Sequence, residues 1–399
     1  MNEKEFFDAF EAERWNFTFM DEADTTKPVQ QVGIVAVFHL VDAYLPFRRK
    51  NIAEAFTIYN NYFGEKLVAG YREDIGMKII PYGRNEFLDC IKYIETIGSN
   101  DAVEFKWMSR SSFELVSDYM FGVYSPEGWY EKIHGSLTKI RIYLPIDELR
   151  NGGRLRLEEM LADLCRLLRP LHGSAGFAIQ ECHTWEDFQH IEYETAWAYR
   201  GVDVCIPSDN KTWREGYTNL NWYTFIAHHW LAKLGTPQEL KAQLDDERIA
   251  VIPYEWGSMI RAGDWPQLGK TDINPKPELY VKVNEAIKTL RVEDIGSLHY
   301  GSVGGEVRFN KRTSNLWLRR FDSPSPVTTD DPVTPTGDPA TVKGEARGFL
   351  RVASGTPCPW PGVWLCDEVE HLGPQTIAHG VPMPEIDGRK VTWRLHKAL

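Results

Sequence analysis

The sequence predicts an α+β fold, with mixed or antiparallel sheets packed with helices and a small all-β, SH3-like module at the C-terminus. Three observations predict it. Strand patterns follow strand patterns as well as helices, which does not suit a doubly wound parallel sheet. The order strand, helix, strand pair occurs in both halves, as a duplicated α/β sandwich would require. A proline- and aspartate-rich break, residues 322–339, then separates a large body (1–321) from a tail (340–399).

Near the N-terminus, Phe6, Phe7 and Phe10 face one side and acids the other, the pattern of an amphipathic helix. Residues 32–41 read VGIVAVFHLV, a nearly continuous apolar run that suits a central strand. From about Arg48, Ile52, Ala55, Phe56, Tyr59 and Phe63 form one helical stripe. A second helix is expected at 86–97. Residues 102–108 and 113–123 read as paired strands turning at the Ser-Arg-Ser-Ser of 109–112. Residues 137–144 alternate as a strand ending at Pro145. Over 154–168, Leu157, Met160, Leu161, Leu164 and Leu168 line a helix that Pro170 stops.

A strand is expected at 173–182. Residues 220–234 predict a helix carrying Trp222, Phe225, Ile226, His229 and Trp230, ended by Gly235. A strand pair at 249–262 turns at Glu255-Trp256-Gly257, and a helix with Pro277 in its first turn covers 277–290. The glycine-rich 301–305 suggests a tight turn into a strand at 306–309, and 316–321 reads as the closing strand of the body. In the tail, three or four short strands would enclose Trp364 and Trp393.

Composition narrows the function. Of 399 residues 43% are hydrophobic and 26% charged, which excludes a mostly disordered chain. The net charge of −12 argues against direct binding of nucleic acid, whose phosphates call for Lys and Arg. It suits an acidic surface facing a basic partner. The body carries −9, the break −4 and the tail +1. The break holds five prolines and four aspartates without Lys or Arg, the composition of a linker. Six scattered cysteines give neither a disulfide framework nor a C-x-x-C metal pair. The acidic N-terminus does not read as a secretory signal, and no apolar run approaches the ~20 residues of a membrane span. A cytoplasmic chain without membrane attachment is expected.

The motif search predicts no catalytic residue, no metal site and no cofactor. Neither G-x-S-x-G, H-E-x-x-H, a Walker A loop nor G-x-G-x-x-G occurs. His183 and His190 flank Glu186 and Asp187, a mixture that could bind metal, but their spacing fits no tight zinc pattern. His229 lies on the apolar stripe of 220–234 and reads as a core histidine. The run Asp245-Asp246-Glu247 is a solvated loop or an acidic contact for a basic partner.

The ordered set Gly176-Phe177-Ala178-Ile179, Ala196-Trp197-Ala198-Tyr199, Gly201-Val202-Asp203-Val204, the 219–225 segment NLNWYTF, the 257–266 segment GSMIRAGDWP and Tyr280-Val281-Lys282-Val283 resembles the bacterial type VI secretion immunity family linked to VRR-NUC nuclease effectors. In the tail, Ser354-Gly355-Thr356-Pro357-Cys358-Pro359, Gly362-Val363-Trp364 and Gly380-Val381-Pro382-Met383-Pro384 resemble a β module appended to other polymorphic-toxin immunity proteins. The first resemblance implies a non-enzymatic protector that binds a cognate secreted toxin, here a nuclease, and occludes it. Effector adaptor and hydrolase are the alternatives. The matching residues read as structural, so partner contacts are expected in loops. Asp245, Asp246 and Glu247, with the turn residue Trp256, are the candidates: an acidic loop for steering and an aromatic for anchoring.

Overall fold

A computed structural model describes residues 1–21, 24–204, 211–299, 307–323, 351–358, 361–366, 368–369 and 372–398. Helix α1 (Glu3–Glu11) is closed at its start by an Asn2–Glu5 capping box and buries Phe6, Phe7 and Phe10. Strands β1 (Thr18–Met20) and β2 (Pro28–Leu40) follow, then α2 (Pro46–Phe63), with proline in its first turn. Next come β3 (Ala69–Arg72), β4 (Ile80–Pro81), α3 (Arg84–Thr96), β5 (Val103–Met108), β6 (Met120–Ser125), α4 (Gly128–His134) and β7 (Thr138–Leu144). Helix α5 (Gly153–Leu168) leads to β8 (His172–Glu181), α6 (Gln189–Ala198), β9 (Tyr223–Ala227) and α7 (His228–Leu231). The body continues with α8 (Pro237–Leu244), β10 (Ile249–Tyr254), β11 (Gly257–Ala262), α9 (Glu278–Ile287) and α10 (Lys311–Leu318). The tail holds β12 (Arg351–Ala353), β13 (Gly362–Cys366), β14 (Gln375–Ile377) and β15 (Thr392–Ala398).

The body strands form one antiparallel sheet in the order β10-β11-β9-β8-β2-β7-β6-β5-β3-β4, with β1 added beside β2. Its centre is the β2–β8 ladder, which runs in register from Gln30↔Glu181 to His39↔His172. All ten residues of β8 are buried, so both its faces are covered. One continuous core joins the sheet to the apolar stripes of α2 and α5, with Phe38, Phe56, Leu161 and Phe225 all essentially inaccessible. Helix α1 belongs to it too: Phe6 stacks on Trp265 at 4.6 Å and Phe10 on Phe177 at 5.7 Å. The tail strands form a separate antiparallel sheet, β12-β15-β13-β14, around a second core containing Trp364 and Trp393, against which Met20 of β1 packs. The fold is α+β, as the sequence predicts.

Most elements lie where periodicity places them; four expectations fail. Residues 220–234 form strand β9 and the one-turn helix α7 instead of a long helix, and His229 is exposed rather than in the core. All five residues of β9 are buried, and a strand covered on both faces shows no alternation to separate it from a helix. Residues 316–321 are not a strand. Asn310 caps α10 through the Thr313 amide, and the helix runs to Leu318. The partner strand of β5 begins at Met120 instead of 113, because Ser109 bonds back to Tyr119 across a long loop. The glycine-rich 301–305 lies outside the described residues, and 307–309 form no strand. Of the break at 322–339, residues 324–339 also lie outside. Asp322 itself is held in the body by Arg291 at 2.7 Å.

Antiparallel ladders sort the connections to two ends of the sheet. Pairing of Leu40 with Thr138, Val103 with Ser125, His39 with His172 and Gly257 with Ala227 puts four groups at one end. These are the β2–α2 link, the approach to β5, helix α4, and the β10–β11 turn with α7. The α8–β10 loop falls at the other end, beside the Ile249–Ala262 pair.

Candidate functional site

The two parts of the sequence-predicted contact do not meet. Strand β10 separates the 245–247 loop from Trp256; at ~3.3 Å per residue its six residues hold them roughly 20 Å apart. Asp245 takes the left-handed conformation, φ 43°, that terminates α8. Asp246 accepts from Arg248 at 2.7 Å and Lys282 at 2.8 Å, and these two cations hold its carboxyl well below the ordinary carboxylate range. Its charge is therefore already neutralised within the chain. Asp245 and Glu247 are exposed. Trp256 is 38% exposed, but the Arg169 guanidinium lies 4.0 Å from its ring centroid. The exposed His228 bonds through its amide to the Trp256 carbonyl, and the exposed Glu255 precedes Trp256 in the turn, so this corner carries both signs of charge.

An exposed tryptophan also lies on α4, at the end of the sheet that β3 and the approach to β5 reach with several carboxylates. Helix α4 is fixed by what it buries. A Cβ on Gly128 would stand 2.6 Å from the Tyr44 ring and 2.8 Å from the Ser99 carbonyl, so only glycine lets the helix approach this closely. Glu131 is buried; it accepts from the Asp42 amide at 2.6 Å and Arg214 at 2.5 Å. Trp129 and Ile133, one turn apart, point outward with exposures of 49% and 71%. The same end of the sheet carries Glu127, which precedes the helix, Asp101 from the loop to which Gly128 bonds through Ser99, and Glu73 and Asp74 after β3, together with the exposed Lys132 and His134 of α4 itself. Partial burial, and then the charges of Glu104, Glu127, Asp74 and Asp101, raise the Glu73 carboxyl above its ordinary range. The pairing of Arg72 with Phe105 and of Val103 with Ser125 brings the segments that carry these five carboxylates to the same end of the sheet. Arg72 pairs with Asp74 at 2.8 Å, and Tyr71 donates to Glu104 at 3.0 Å.

The sequence did carry signals for this surface. Trp129 and Ile133 are spaced for one helix face, and the 71–74 segment YRED is acidic. What sequence cannot show is that β3, the approach to β5 and α4 reach the same end of the sheet.

The interior polar groups are structural in arrangement. A small crevice on the sheet surface is lined by His39, Arg141, His172, Ser174, Asp203 and Asn219 among others. His39 and His172 stack at 4.5 Å. Burial keeps both neutral, lowering His172 to about 3, while His172 Nε2 lies 3.1 Å from the Trp213 carbonyl and so carries its proton. Asp203 accepts from Arg320 at 2.6 Å and Asn221 at 2.6 Å, and also from Asn219. Its oxygens are thus occupied by donors. His183, weighed above as a metal ligand, stacks on Phe113 at 4.5 Å. Among the described residues no cluster of three His, Cys, Asp or Glu is arranged to hold a metal ion, and no helix is long and apolar enough to cross a membrane.

Comparison with known proteins bears on this geometry. The family described as TsiV, type VI immunity for VRR-NUC, matches residues 51–321, which span the body from α2 to just past α10. Among solved structures, a Pseudomonas aeruginosa T6SS protein is similar with a TM-score of 0.69 and 22% identity, covering 80% of this chain and 92% of that one. At that identity the likeness establishes the fold. No curated protein matches the sequence.

Proposed function

Since the chain belongs to the TsiV family, type VI immunity for VRR-NUC, we propose that it binds a cognate VRR-NUC effector and neutralises it by stoichiometric occlusion. The family match over residues 51–321 carries this reading. The physical setting supports it. A nuclease must present cations to phosphate, and a chain of net charge −12 with a clustered acidic surface is complementary to such a groove. The protector performs no chemistry on the toxin, and it acts in the cytoplasm, where the nucleic acid to be protected lies. The body and the C-terminal module act as separate folding units joined by the proline-rich segment.

Co-expression tests the reading. Cells producing the effector's nuclease domain are expected to survive when this chain is produced with it, and the two are expected to co-purify. Survival without a complex would point to modification of the toxin. A complex formed only with effector segments outside the nuclease domain would make the chain an adaptor.

A further inference from the structure

We propose that the outward face of α4, Trp129 with Ile133, is the anchor by which this chain seats itself in the cationic nucleic-acid-binding groove of its nuclease partner. The inference rests on the immunity reading above and adds the surface. Trp129 and Ile133 are 49% and 71% exposed, large apolar side chains left uncovered on a helix whose other face is locked by Gly128 and the buried Glu131. A tryptophan held on a rigid element is the kind of group that dominates interface energetics, because little side-chain freedom remains to be lost. Charge selects the occupant. Glu73, Asp101 and Glu127 share the α4 end of the sheet with the anchor and outnumber the exposed Lys132 of that helix, while Asp74 is paired with Arg72; the raised Glu73 carboxyl reports their mutual repulsion. Lysines and arginines that a nuclease directs at phosphate would relieve that repulsion. Among the described residues Trp256 is exposed too, but it lies under the Arg169 cation with Glu255 alone beside it in the turn, a weaker complement to a cationic groove.

The test is displacement of a fluorescent DNA duplex from the cognate VRR-NUC domain, followed by anisotropy with calcium replacing the catalytic metal so that the duplex stays intact. The full-length parent is expected to displace the duplex. The double variant Trp129→Ala with Ile133→Ala is expected to need at least about 30-fold more protein, the loss typical of a central anchor. Glu73→Lys with Asp101→Lys should slow association at low salt, with the difference from the parent shrinking as salt rises. Trp256→Ala should behave as the parent. Parent-like displacement by the Trp129/Ile133 variant would overturn the proposed anchor while leaving the immunity reading standing. So would a parent complex that leaves the duplex bound. Failure of the parent to bind the domain at all would remove both. Thermal melting of each variant checks folding, and Ile133→Arg alone, at the more exposed position, replaces the double variant if that one is unstable.

Discussion

The buried charges decide what individual residues contribute. Asp203 and Arg320 are both almost inaccessible and pair at 2.6 Å, with Arg320 also packed 3.7 Å from the Trp317 ring. Burial pushes the Asp203 carboxyl up to about 6 and Arg320 down to about 10. Asp203→Asn keeps the shape and removes the counter-charge, so it should cost about 3–5 kcal/mol, read from urea unfolding. A cost near zero would show that the pair is not buried as described. The histidines give a pH dependence. Burial holds His172 and His299 at about 3 and His39 well below its ordinary value. Their folded-state values lie below the unfolded value of about 6.5, so stability is full above that pH and is lost as pH falls toward 3. Asp203, between about 3.8 and 6, and the raised Glu73 and Glu131 carboxyls work the other way, while His183 and His229 are lowered along with the three rings, so five imidazoles stand against three carboxyls. The free energy of unfolding, and with it the urea midpoint, should therefore fall from pH 7 to pH 5, by up to about 1.4 kcal/mol per pH unit for each net proton. A midpoint that rises over that range would contradict the neutral buried state of these rings. None of this was legible in the sequence. His39 and His172 are 133 positions apart and meet only because β2 pairs with β8 in that register.

At the scale of elements, legibility followed the chemistry of each face. Helices α2 and α5 have one apolar stripe against the sheet and a wet opposite side, and their spacing revealed them. Strand β9 has no wet side, and Trp222, Phe225 and Ile226 imitate a helical spacing. Helix α8 went unseen although Thr236 and Glu239 form a capping box around Pro237, a signal readable from four residues. The 245–247 run was legible as charge, and the strand expected between it and Trp256 already sets the two apart, but only topology tells that Glu73 and Asp101 share an end with Trp129. The central ladder makes a further prediction. A Cβ on Gly173 would lie 2.2 Å from the Val37 carbonyl and 2.8 Å from the Phe225 ring. Gly173→Ala must push β2 from β8, and a loss of about 1–3 kcal/mol or more is expected in urea unfolding. Parent-like stability would mean that the two strands are not in this register.

The whole molecule consists of two cores, one closing at Phe321 and the other built on Trp364 and Trp393. The proline-rich composition between them was the clearest domain signal in the sequence, and limited proteolysis should cut there first and leave a large resistant fragment. Early cleavage within 150–300 would contradict that division. On the proposal above, the carboxylates of Glu73, Asp101 and Glu127 at the α4 end of the sheet steer the partner and Trp129 anchors it, so steering and anchoring coincide there. The central claim is that protection comes from a stable one-to-one complex and not from turnover. Titrating a fixed amount of the cognate VRR-NUC domain with this chain, well above their dissociation constant, tests it most directly. Nuclease activity should fall linearly and reach its floor at about one chain per nuclease. Complete loss of activity far below that ratio, or undiminished activity well beyond it, would contradict the account.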